Sequence, residues 1–148
     1  MISFWAPGVP RSQGSKRAGM LKQGKGAERR LRATLFPDPP QLKQWRREVS
    51  AAAARAMPEG MLPLDVPVRV SVVFYFHRPA SRQATHLRGE LDGESVKATA
   101  PDLDKLMRAV GDSLQGIVVE NDSRIVQWSA RKVYAEAPGV RVVVEPIG

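Results

Sequence analysis

Apolar residues recur along the chain with two periods, and the change from one to the other outlines the elements. Ile2 to Trp5 read as a short strand that "APGVP" ends. After "PDPP", Leu42, Trp45, Val49, Ala52 and Ala56 fall at helical spacing, and the prolines suit a helix start. "MPEGMLPLDVP" breaks that helix. Val66, Val68, Val70, Val72, Phe74 and Phe76 then alternate with Arg69, Ser71 and other residues, the period of a strand with one buried face. From residue 78 to 100 the sequence is polar and aperiodic, which predicts a long loop. Leu103, Leu106, Met107, Val110, Leu114 and Ile117 return to the helical period. Val126, Trp128, Ala130 and Tyr134 mark one face of a further strand. "EAPG" turns it into a last one, with Val140, Val142 and Val144 inward. The order β-α-β-α-β-β predicts an α+β fold, with two main helices packed on a small mixed sheet. A length of 148 residues without repeats fits a single domain spanning 1–148.

Charge changes this picture at one place. Eight basic residues (Arg11, Lys16, Arg17, Lys22, Lys25, Arg29, Arg30 and Arg32) face one acid, Glu28, between Arg11 and Arg32. That stretch carries nearly all of the formal net charge of +8. It is also rich in Gly and Ser, so residues 11–34 are expected to form a basic, flexible segment ordered only by an anionic partner. The plain alternative is a solubilising arm. From Pro101 onward six basic residues meet seven acidic ones, close to neutrality.

Composition excludes several chemistries. There is no cysteine, so disulfides and thiolate metal sites are out, and two histidines (His77 and His86) are too few for an imidazole-rich zinc site. No apolar run approaches the roughly 20 residues of a membrane span, and "MISFWAPGVPRSQ" lacks signal-peptide features. A soluble, cytoplasmic protein is expected.

The acids that stand out lie in "PDLDKLMRAVGDSLQGIVVENDSRIV", residues 101–126. Asp102 and Asp104 open the second helix, and Asp104, Arg108 and Lys105 belong to its polar side. From Asp104 to Gly116 a helix rises roughly 18 Å at about 1.5 Å per residue. Six extended residues reach back about 20 Å at roughly 3.3 Å each, so Asp122 can return beside the helix start. Three carboxylates together repel unless a cation sits among them, and hard oxygen donors favour Mg²⁺ or Mn²⁺. The ordinary alternative makes Asp102 an N-cap, Asp104 a partner of the helix dipole or of Arg108, and "END" a turn. With a basic arm nearby, metal-binding acids imply phosphodiester chemistry, in which a cationic side chain such as Arg108 stabilises developing charge. Trp45 and Trp128 sit on apolar faces and are expected in the core; Trp5 is ambiguous between packing and base stacking. His77, at a strand end, is a lone imidazole without an assigned role.

Residues 101–144, with an Asp-x-Asp pair opening a helix, "DSLQGIVVEND" after it and "RKVY" before a Pro-Gly hairpin, resemble the RusA family of Holliday junction resolvases, often carried by phages and prophages. "RSQGSKR" and "LKQWRREV" upstream are similar to members from actinobacterial phages. The resemblance implies a homodimeric endodeoxyribonuclease, dependent on Mg²⁺ with Mn²⁺ as a substitute, that nicks four-way DNA junctions symmetrically in recombination and repair. It places the metal-binding and catalytic aspartates at Asp102, Asp104 and Asp122, and the family's catalytic lysine at Arg108. It also departs at Asn121, where the family often has an acid. Lys105, Arg11, Lys16, Arg17, Lys22 and Lys25 are the expected DNA contacts. The competing expectation is a non-catalytic nucleic-acid-binding accessory module that uses the arm alone.

Overall fold

A computed structural model describes residues 1–14, 38–79 and 89–148. Its elements are β1 (Ile2–Pro7), α1 (Pro40–Ala56), β2 (Val68–His77), a two-stranded hairpin of β3 (Glu90–Leu91) and β4 (Glu94–Ser95), α2 (Leu103–Leu114), a 3₁₀ turn at Asp122–Arg124, β5 (Ile125–Ala135) and β6 (Gly139–Pro146). The four long strands form one mixed sheet in the order β1-β6-β2-β5, with both helices on one face. The α+β class and the two-helix, mixed-sheet architecture are those that the periodicity predicts.

β2 takes a central place because its alternation is the cleanest in the chain. Val68, Val70, Val72, Phe74 and Phe76 all face the core and are buried. Val140, Val142 and Val144 of β6 and Ile2 and Ala6 of β1 extend that layer across the sheet, and Leu42, Trp45 and Val49 of α1 and Leu106, Val110 and Leu114 of α2 close it from above. β2 runs antiparallel to β6 and parallel to β5. A parallel pair needs a crossover, and α2 provides it.

The topology corrects the expected Pro-Gly hairpin. β5 and β6 are consecutive in sequence, but β2 lies between them. A turn signature fixes a reversal of the chain and not which strand becomes the neighbour; the more apolar β2 occupies the slot between them. Val126 is a second correction. Val68 pairs with Ile125 and Arg69 with Gln127, so Val126 is the extra residue of a bulge. It is 61% exposed, and Ile125 packs on the core in its place. Val66, expected in β2, precedes the strand and is exposed. Within the stretch expected as loop, Asp92 and Gly93 both have positive φ (53° and 80°) and close the β3–β4 hairpin. Asp-Gly is a strong signal for such a two-residue turn. Residues 80–88 of that stretch lie outside the described residues.

At Gly139 the first residue of β6 crosses β1 at close range. A Cβ there would stand 2.7 Å from the Ala6 carbonyl oxygen and inside the Trp5 ring. The carbonyl belongs to the sheet ladder and cannot yield. Gly139→Ala is therefore expected to cost about 3 kcal/mol, the upper end for overpacking, read as a lowered urea midpoint.

Candidate active site

The acids are placed by two elements, helix α2 and the turn that follows it. Asp102 occupies the N-cap position of α2 in extended conformation, and its carbonyl accepts the first helical bond from Leu106 N (3.1 Å). Its carboxylate does not cap the helix. It pairs instead with Lys105 Nζ at 3.3 Å and is 63% exposed. The N-cap alternative is thus not how this side chain is used. Asp104 lies in the first turn, where the helix dipole favours an anion.

The segment leading to Asp102 is held by Lys132 of β5. Lys132 Nζ donates to the Thr99 and Pro101 carbonyls, each at 2.8 Å. Burial and then the charge of Lys97 push its ammonium below the ordinary lysine range, and Asp102 pulls the other way. Lys97 N in turn donates to the Lys132 carbonyl at 3.0 Å. The "RKVY" stretch therefore supports the strand-to-helix junction, a role that its sequence does not reveal.

Asp122 is fixed from the other side. Gly116, at φ +80°, lets the chain reverse after α2. Leu64 N donates to the Val118 carbonyl (2.7 Å), and Glu120 N donates to the Leu64 carbonyl (3.0 Å), tying the returning segment to the strand approach. Asn121 Oδ1 then accepts from Ser123 N at 2.9 Å. At this departure from the family's frequent acid, the side chain caps the turn that presents Asp122. Arg124 donates to Asp65 at 2.6 Å and holds that carboxyl below the usual carboxylate range.

Asp104, Arg108, Asp112 and Asp122 meet around a cleft of about 250 Å³, with Met107, Gly111, Ile125 and Trp128 as its apolar lining. Asp104, Arg108 and Asp112 are spaced i, i+4 and i+8, one stripe of α2. The Asp104–Arg108 pair allowed by this spacing does not form, and none of the four side chains is in an ion pair among the described residues. The cleft thus presents three uncompensated carboxylates beside one uncompensated guanidinium. Asp112 carries no local signal beyond its helical spacing from Arg108, one turn further along the stripe. Asp102 is not in the lining. As the side chains lie, no group of three His, Cys, Asp or Glu residues among the described residues is arranged to hold a metal ion.

The other expected site residues are dispersed. Lys105 is half-buried, engaged with Asp102, and its carbonyl accepts from Gln13 N at 3.1 Å. Arg11 borders a groove between α1 and the end of β1 and is not in the cleft lining. Lys16, Arg17, Lys22 and Lys25 lie outside the described residues. Trp45 is buried in the core as expected, while Trp128 both packs on the core and lines the cleft. Trp5 lies on the opposite sheet face, its ring 5.4 Å from that of Tyr75, and is 37% exposed. His77 is exposed at the end of β2. No helix among the described residues is long and apolar enough to cross a membrane.

The chain is similar to the "Uncharacterized protein YqaN" of Bacillus subtilis (strain 168), at 28% identity over 148 residues, covering 99% of this chain and 96% of that protein. Residues 7–145 match the model of a protein family described as "Endodeoxyribonuclease RusA". That match begins at the last residue of β1 and takes in both helices, the cleft and nearly all of β6, and the protein belongs to the RusA endodeoxyribonuclease family.

Proposed function

We propose that the protein is a divalent-metal-dependent endodeoxyribonuclease that resolves four-way DNA junctions by paired, symmetric hydrolysis in recombination and repair. The observation that carries this reading is the cleft in which Asp104 and Asp122 approach from two different elements beside the unpaired Arg108. A binding module would have no use for uncompensated carboxylates where a phosphate must come, since they repel it. A nuclease needs them.

The donor set fits Mg²⁺ or Mn²⁺ in kind: carboxylate oxygens, with no imidazole or thiolate in the cleft. Asp104 and Asp122 would hold the ion, with Asp102 completing the set once its exposed side chain leaves Lys105. Bound there, the ion would neutralise phosphate charge and make an attacking water more acidic. Arg108 binds a non-bridging phosphate oxygen and stabilises the charge that develops on it, as a fixed cation in a partly apolar cleft. Its guanidinium stays protonated throughout and transfers no proton. Lys132 keeps the Thr99–Pro101 segment in place and so acts as a positioning residue for Asp102. A water oxygen bonds to phosphorus as the P–O3′ bond breaks, and the proton given up by the water is balanced by the one taken up by O3′, leaving 5′-phosphate and 3′-hydroxyl ends. A two-fold homodimer carries two such sites, matching the two opposed strands that a junction resolvase must cut. We place it in the cytoplasm of a bacterial cell, encoded by a phage or prophage.

The test is a strand-labelled synthetic four-way junction incubated with the protein and Mg²⁺. The expected products are nicked duplexes cut at related positions in opposed strands and resealable by a DNA ligase. Binding without scission would instead support the accessory-module reading.

A further inference from the structure

Helix α1 carries different chemistry on its two flanks. Toward β1, Gln41, Gln44 and Glu48 border the groove that also holds Arg11. Toward α2, Lys43, Arg46, Arg47 and Ser50 line a groove of about 390 Å³ whose other wall is Asp112 and Ser113. Asp112 also lines the active-site cleft, so the two depressions meet at one side chain.

Cations at i, i+3 and i+4 repel one another on a helix surface, at a cost of a few tenths of a kcal/mol per pair. Arg46 is compensated, because its guanidinium donates to Asp38 at 3.0 Å and to Gln13 Oε1 at 3.0 Å. Lys43 and Arg47 are exposed and, among the described residues, have neither an ion pair nor a side-chain hydrogen bond. Two cations therefore outweigh the single groove acid, Asp112. The groove is also braced, since the Ser50 hydroxyl donates to the Ser113 carbonyl at 3.0 Å and joins α1 to α2.

We infer that Lys43 and Arg47 form a binding site for DNA-backbone phosphates flanking the scissile one, a track over α1 that leads a strand into the cleft. The track's destination rests on the nuclease reading, whereas the phosphate contacts themselves require only DNA. The two residues are one turn apart, about 6 Å along the axis, and project side by side. They hold the backbone without reading sequence.

The test compares wild type, Lys43→Gln/Arg47→Gln, and a control with the same charge loss on the opposite sheet face, Arg69→Gln/Arg141→Gln. Affinity for a four-way junction is titrated against salt in EDTA, and single-turnover scission is then measured at saturating protein with Mg²⁺. Losing two phosphate contacts should make the slope of log K against log salt shallower by about 1.8, at about 0.9 per contact. The control should keep the wild-type slope. Scission at saturation should stay within about twofold, because contacts equally strong in ground and transition states change binding and not the step. An unchanged slope, an equal change in the control, or a collapse of the saturated rate would each overturn the inference. A shallower slope with a wild type that never cuts DNA would retain the track and defeat the nuclease reading.

Discussion

Asp104→Asn and Asp122→Asn are each expected to lose about 10³-fold or more in DNA scission while binding a junction as tightly as wild type or more tightly. The two carboxylates reach one cleft from α2 and from the 3₁₀ turn, and neither has a compensating partner among the described residues. An amide keeps the shape and the oxygen but removes the charge that retains a hard cation, and the ion's contribution is several kcal/mol of transition-state stabilisation. The same change relieves repulsion of the phosphate, so affinity should not fall. Asp102→Asn is expected to act in the same direction. Its link to Lys105 is a partly exposed ion pair worth about 1 kcal/mol, too weak to keep it from a cation in the cleft. Gel shifts in EDTA and scission in Mg²⁺ on the same preparations separate the two effects. Full activity in a variant would remove that aspartate from the catalytic set.

Arg108→Ala is expected to lose at least about 100-fold in single-turnover rate, the scale of deleting one transition-state charge stabiliser. The residue is exposed, lines the cleft and is bound to no acid among the described residues, so its charge is available to a ligand. Arg108→Lys restores the family's residue and should retain most of the rate, since the role requires a cation and not a proton donor. The guanidinium's planar fork can grip two phosphate oxygens where an ammonium grips one, so lysine should weaken affinity more than rate. An Ala variant with the wild-type rate would reduce Arg108 to a surface cation.

Most of the elements were legible because burial writes its period into the sequence. Leu42 through Ala56 in α1 recur every three or four residues and Val68 through Phe76 in β2 alternate, as one-sided elements must, and the cleft pair Asp104 and Asp122 followed from chain length and rise alone. The order of the strands was not legible, because pairing partners are chosen by the whole core and "EAPG" records only a reversal. Nor was the bulge, since Val126 looks as apolar as the core residues whose alternation it interrupts. The Asp92-Gly93 turn has a legible signature, but the polar stretch around it lacks the alternating apolar residues that mark a hairpin. Asp112 could have been found by extending the Asp104, Arg108 stripe by four. By contrast, the Lys132 grip on Thr99 and Pro101 joins residues 31 or more apart, and no local pattern encodes it. The same is true of the pairing of Arg46 with Gln13, 33 residues away.

On the proposed reading, the Asp104–Asp122 cleft hydrolyses phosphodiesters of branched DNA. Its most direct test is the amount of nicked duplex released from a labelled four-way junction by wild type and by Asp122→Asn, each with Mg²⁺ and with EDTA. Scission by wild type in Mg²⁺ alone is the predicted result, with the other three reactions blank. Equal scission by Asp122→Asn, or scission by wild type in EDTA, would contradict it.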